Sequence, residues 1–250
     1  VEDTYTKAYP FSVKPDKKLS VADVFALHRD WYQGTEFDLS KGLAAGPFGT
    51  PNRYGGASKL VKGAWERAVS VFRCDYSFVA QVRGWLPDPI GAVLWFGPDA
   101  PHSTAYVPFY CNHIDLPEAY DSGSHAKFDP NNAFWVHSFA ANWADLKFSY
   151  IIKDIQAMQN KVDVRQFAQH PAIENAALQL YKVDPQLAIE FLTDYSNNNA
   201  NRVVREWWEF GQTLITRYND GYVDGNSVGY PDWWLKEVGY ESGPLKHGLK

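Results

Sequence analysis

The 250-residue sequence is poor in sulfur, with two cysteines and one methionine. Cys74 and Cys111 are too few for a disulfide framework or a structural metal site. Two buried free thiols are the commoner arrangement, a single bridge the alternative. No apolar run approaches the ~20 residues that a membrane-crossing helix needs. The net charge is −5 and no basic block occurs, which argues against a nucleic-acid partner. The seven histidines show no HExxH or similar ligand spacing, and neither a P-loop nor a GxGxxG after a strand is present. The sequence therefore calls for no metal and no cofactor. Neither a signal-peptide pattern nor an Asn-x-Ser/Thr sequon appears, so the compartment stays open.

Aromatic residues are abundant by contrast: 10 Trp, 15 Tyr and 15 Phe. Aromatics are core and interface material, so this load points to a heavy core or a large subunit contact. The length supports one sizeable core. No repeat or clear linker divides it, and 1–250 reads as a single domain.

Residues 1–19 read as an extended arm, with Pro10 and Pro15 discouraging helix. Ser20 followed by Asp23 resembles a capping box and opens a helix through VADVFALHRDWY, stopped at Gly34. Residues 34–63 form a long Gly- and Pro-rich loop, anchored by Phe37, Leu39, Leu43, Phe48 and Tyr54. Core strands are expected within 64–112. Tyr76 to Arg83 alternates with period two, IGAVLWF is continuously apolar, and STAYVPFY completes an antiparallel meander. From 133 to 218 the 3-and-4 spacing of apolar residues predicts a helical layer. Breaks are expected at Pro171 and at SNNNAN, and a new helix starts at Asp184-Pro185. The tail, 219–250, is read as irregular. Strands followed by helices indicate an α+β class.

Three segments carry a resemblance: RDWYQGTEFDLSKGLAAGPFGTPNRY, SFVAQVRGWLPDPIGAVLWFGPDAP, and YVPFY with a later Trp/Phe-rich helix. Together they are similar to the C-terminal half of the C69 dipeptidases, cysteine peptidases of the N-terminal-nucleophile (Ntn) hydrolase superfamily related to the secernins. The resemblance spans roughly residues 10–220. It implies an Ntn αββα sandwich that hydrolyses dipeptide amide bonds. It also implies a nucleophilic cysteine at the mature N-terminus, whose own amino group acts as base. That part of the family pattern, and the oxyanion-hole asparagine with it, has no counterpart here. The expectation is a C-terminal subunit with no catalytic residue of its own, paired with an N-terminal chain of the same precursor. Small peptides are the expected substrates, and a higher homo-oligomer is left open.

Seven residues are candidates for substrate binding. Arg83 shares a strand face with Ser77 and Gln81, where a guanidinium needs a carboxylate or a substrate. The competing reading is an ion pair with Asp88 or Asp75. Arg73 is the alternative arginine. Ser77 and Gln81 present donors on the Arg83 face, unless they are ordinary satisfied sheet residues. In the Gly-rich loop Thr35, Asp38 and Arg53 are placed to line the site, with turn chemistry as the plainer account. Neither Cys74 nor Cys111 has a well-placed base in sequence, and His102 and His113 are the histidines that could approach in space. A second reading of the whole is a non-catalytic binding or structural protein on the same scaffold, with Trp233 and Trp234 as contact surface.

Overall fold

The computed structural model describes residues 10–53 and 67–243. Expectations for residues 1–9, for Tyr54 and the rest of 54–66, and for 244–250 lie outside these described residues. The chain is α+β. Helix α1 (Val21–His28) begins with the expected reciprocal cap: Ser20 Oγ accepts the Asp23 N–H at 3.1 Å, and Asp23 Oδ2 accepts the Ser20 N–H at 2.8 Å. It ends earlier than the pattern predicts. The chain turns through positive φ at Tyr32 (63°) and Gly34 (77°).

Among the described residues the main sheet has three antiparallel strands, β1 (Tyr76–Val82), β2 (Ala92–Pro98) and β3 (Val107–Tyr110), in the order β1-β2-β3. A helical turn α2 (Asp88–Gly91) joins β1 to β2. The meander read from the sequence is present. Its last strand is shorter than STAYVPFY because Pro101–Ser103 forms a 3-10 turn. Pro108 sits on β3, an edge strand, as its missing N–H requires.

Four helices follow: α3 (Glu118–Asp121), α4 (Ala133–Ala144), α5 (Phe148–Val183) and α6 (Pro185–Tyr218). Two expected breaks are absent. α5 continues through Pro171, whose lost hydrogen bond is offset by packing of Phe167, Ile173, Leu178 and Tyr181 on either side of it. α6 continues through SNNNAN because those side chains bond outward instead of to their own backbone. Asn197 contacts His113 at 2.8 Å and the Asp115 carbonyl at 3.0 Å, and Asn199 donates to Gln166 at 2.7 Å. The true break lies at Asp184, which caps the Gln186 N–H with Pro185 at the first helical position. The tail is more regular than expected. It holds a two-residue hairpin, β4 (Tyr222–Val223) with β5 (Asn226–Ser227), and α7 (Asp232–Glu237).

Two clusters form the core. Val79, Val93, Trp95 and Tyr110 on one sheet face meet Phe25 of α1, Ala177 of α5 and Leu192 of α6. Val107 and Phe109 on the other face meet α4, α5 and α6 through Val136, Ile151, Ile155, Val203 and Trp207. Among the described residues that second face is covered at β3 and in part at β2, where Phe96 packs on Tyr120. Over β1 it stays open, with Tyr76, Phe78 and Val82 exposed by 55%, 50% and 78% and Trp85 beyond them by 80%.

Trp207 is fully buried and stacks on His137 with ring centroids 4.7 Å apart. Trp207→Ala is expected to lower unfolding free energy by about 3–5 kcal/mol. A urea titration with an unmoved midpoint would show that this ring does not hold the helices together.

Candidate functional site

The sheet has two ends, and they differ in chemistry. At the Arg83 end, the guanidinium forms a bidentate pair with Glu174 of α5, with Nη1 2.7 Å from Oε2 and Nη2 on Oε1. Nη2 also donates to the Ile90 carbonyl at 2.9 Å, and Nε to that of Gly91 at 3.4 Å. Four of the five guanidinium N–H groups are thus used within the chain. The partner is Glu174, not Asp88 or Asp75. Burial alone would raise the Glu174 carboxyl, but the adjoining His170 imidazole (2.9 Å) and the Arg83 guanidinium outweigh it and hold it at about 2. This end is electrically complete.

The other candidates fall into local roles. Gln81 Oε1 accepts from the Trp95 indole at 3.2 Å. Arg73 is exposed. Thr35 caps its own turn, donating to the Tyr32 carbonyl at 2.6 Å. Asp38 accepts from the Gly34 N–H at 3.1 Å and the Ser40 N–H at 2.9 Å, which is turn chemistry. Arg53 donates to the carbonyls of Leu39 (2.5 Å) and Thr50 (3.2 Å), tying the Gly-rich loop together. Of the loop's predicted anchors, Leu39 is buried while Phe37 and Leu43 are exposed.

The opposite end joins the predicted Ser77 to groups that sequence reasoning did not assign to a substrate site. Ser77, at the start of β1, shares a 2.7 Å hydrogen bond with the buried Tyr106 hydroxyl, which lies 3.1 Å from His28 Nδ1. Tyr106 stacks on Phe25 at 4.3 Å, and burial pushes its hydroxyl up to about 12. His102 is buried, and burial drives its imidazole down to about 4, so it is neutral. Its backbone N–H donates to Ser70 Oγ at 2.7 Å, and that hydroxyl shares a second hydrogen bond with Nδ1, also at 2.7 Å. Gln159 of α5 holds this loop by donating to the carbonyls of His102 (3.2 Å) and Thr104 (2.9 Å).

Asp99 lies at this same end of the sheet, just past β2. It is 5% exposed, follows the last residue of β2, and adopts φ 62°. Its N–H extends the ladder to the Asp75 carbonyl at 2.8 Å. Its carboxylate Oδ2 is buried with no hydrogen-bond partner. Burial and the charge of Asp75, opposed by the Ala100 N–H, push the carboxyl up to about 7. The one sequence signal was an Asp wedged into GPDAP, a type that tolerates left-handed backbone.

Neither cysteine has the surroundings of an activated thiol. Cys74 donates to the Tyr76 carbonyl at 3.0 Å, and burial, Asp99 and Asp75 all push its thiol up. Cys111 is exposed, against the expectation of two buried thiols, and no bridge forms. His113 turns toward Asn197, away from Cys111.

Against known proteins, residues 1–161 match the model of peptidase family C69. The chain belongs to this family. Among curated relatives, a "Probable dipeptidase" of Latilactobacillus sakei is 32% identical over 53% of this chain and 24% of its own length. "Probable dipeptidase B" of Lactococcus lactis subsp. lactis is 24% identical over 70% of the chain and 33% of its own length. "Dipeptidase A" of Lactobacillus helveticus is 28% identical over 56% and 26%. The chain thus spans between about a quarter and a third of these relatives.

The two ends respond to pH in opposite ways. Glu174 is depressed below its usual value of 4.5, so its stabilisation is present above that pH and fades as pH falls toward 2. Glu174→Gln leaves the Arg83 charge without its counter-ion and is expected to cost about 3–5 kcal/mol at neutral pH, read by chemical denaturation. Asp99 is raised from 3.8 to about 7, so stability is highest below pH 3.8 for this group and declines as pH climbs through 7. Asp99→Asn should therefore flatten the loss of stability between pH 5 and 8. A melting temperature that falls as steeply with pH in the variant would exclude Asp99 as its source.

Proposed function

We propose that this chain serves dipeptide hydrolysis, the activity printed in the names of its relatives, as the C-terminal portion of a cysteine-type peptidase. The observation that carries this reading is the match of residues 1–161 to peptidase family C69. The attacking sulfur comes from polypeptide outside this sequence, namely an N-terminal chain of the same precursor. Two features support that division of labour. The Cys74 thiol is held protonated by its surroundings, the reverse of what a nucleophile needs. The apolar face of β1 with Trp85 is open, and a second sheet would close it at the usual spacing of about 10 Å. In this arrangement a partner thiolate attacks the scissile carbonyl, an acyl-enzyme forms with departure of the amine, and water then releases the acid. The present chain supplies scaffold and substrate-binding groups. Arg83 fixes the scaffold by joining β1 to α5.

The test is a thiol-directed dipeptide-like probe applied to the purified protein with whatever copurifies. Hydrolysis is expected to cease on labelling, the label mapping to a cysteine outside this sequence. Cys74→Ala and Cys111→Ala are expected to retain hydrolysis within about twofold, being inert thiols. Labelling of Cys74 with loss of activity would overturn the assignment. Native mass spectrometry showing this chain alone, with no dipeptide hydrolysis, would favour the non-catalytic binding reading.

A further inference from the structure

The buried carboxylates of the described residues sort into two groups. Glu174 is matched by Arg83, Asp163 by Arg29, Glu206 by Arg165 and Arg202, and Asp154 by Arg217. Asp145, which is more exposed, accepts from Thr50 and Asn52. Asp99 stands apart: it is 5% exposed, yet Oδ2 meets no donor and no cation. A buried carboxylate whose hydrogen bonding comes from a backbone N–H, that of Ala100, and which has one oxygen unmet, is costly to keep charged. A carboxylate kept in that state, on backbone at φ 62°, is the signature of a group held ready for something that arrives.

Geometry then separates the two ends of the sheet. Asp99 pairs with Asp75 just before β1, whereas Arg83 lies just past its other end. Seven residues of strand span roughly 20 Å. An extended dipeptide is about 7 Å long. One dipeptide cannot touch both ends, and the Arg83 end already has its counter-charge. The Asp99 end holds the unmet negative charge, together with the unpartnered hydroxyl of the fully buried Thr104. Thr104 packs against Gly97, where an added Cβ would fall 2.8 Å from its methyl group. Among the described residues the charge acting on the carboxylate is that of Asp75, and the buried His102 is neutral.

Resting on the dipeptidase reading, we propose that Asp99 is the receptor for the α-ammonium group of the substrate. A free amino terminus is what distinguishes a dipeptide from the interior of a longer chain, and a desolvated carboxylate is the group that recognises it. The Ser77–Tyr106–His28 hydrogen-bond chain lies at the same end and stiffens the wall beside it. Asp99 is thus a binding residue, set apart from bond cleavage.

The test compares two non-hydrolysable dipeptide analogues, one with a free amine and one N-acetylated, by calorimetry on the purified protein with its copurifying chains. Asp99→Asn keeps the shape and tolerates the left-handed backbone. It is expected to weaken the free-amine analogue roughly 10- to 100-fold while leaving the acetylated one within twofold. For hydrolysis of free dipeptides, KM should rise with little change in kcat. A thermal melt confirms that the variant is folded, and Asp99→Glu, which keeps the charge, should recover part of the affinity. Equal weakening of both analogues would mean that Asp99 meets an ammonium of another polypeptide or only shapes the site, and the inference fails. Unchanged affinity for both also sinks it. If the wild-type protein neither hydrolyses dipeptides nor binds either analogue, the dipeptidase reading falls first and the inference falls with it.

Discussion

One polar seam on α5 organises the molecule. Gln159, Asp163, Gln166, His170 and Glu174 recur at intervals of three and four residues and so lie along one side of the helix. Each meets a different part of the sheet layer. Gln159 serves the carbonyls of His102 and Thr104, Asp163 the Arg29 guanidinium, Gln166 the Tyr106 carbonyl, and Glu174 the Arg83 guanidinium. These groups are buried or nearly so, and each unmade bond would cost more than a made one gains. The seam therefore acts as a register key: α5 fits the sheet at one rotation and one height. Both the loop that carries Asp99 and the end of β1 that carries Arg83 are set by it.

The same device explains why the two ends of the sheet differ. The seam supplies the Glu174 carboxylate at the Arg83 end; toward the other it supplies the amides of Gln159 and Gln166 and an Asp163 carboxylate already paired with Arg29. Amide side chains can bond carbonyls, but they cannot neutralise Asp99. The sheet thus ends in a closed ion pair on one side and an unmet charge on the other. A fold built only for stability would favour matching both.

Much of this was legible in the sequence. The alternation of Tyr76–Arg83, the apolar run after Pro89, the Ser20 cap and the Asp184-Pro185 start all act locally, and each appears within two residues of where the pattern places it. The family resemblance also rested on local motifs and was met by the family match. What failed to show was tertiary. Pro171 and SNNNAN look like breaks until the partners that compensate them are in view, and those partners lie dozens of residues away. Arg83 advertised a need for a carboxylate, but nothing in the sequence distinguished Glu174 from the nearer Asp75 and Asp88. Asp99 was hidden for a related reason: its significance lies in the lack of a partner, which only three-dimensional packing reveals.

The junction at Asp184 has its own consequence. One residue ends α5, accepting nothing further along it, and begins α6. The arms it joins run 36 and 34 residues, or about 50 Å each at 1.5 Å per residue. With such lengths, a twist of about 10° at the pivot would swing a distant tip by roughly 9 Å. Accuracy of the hairpin against the sheet, which it grips from Gln159 to Glu174, therefore comes from interlocking along the shaft, because the elbow alone is too small a fulcrum to aim it.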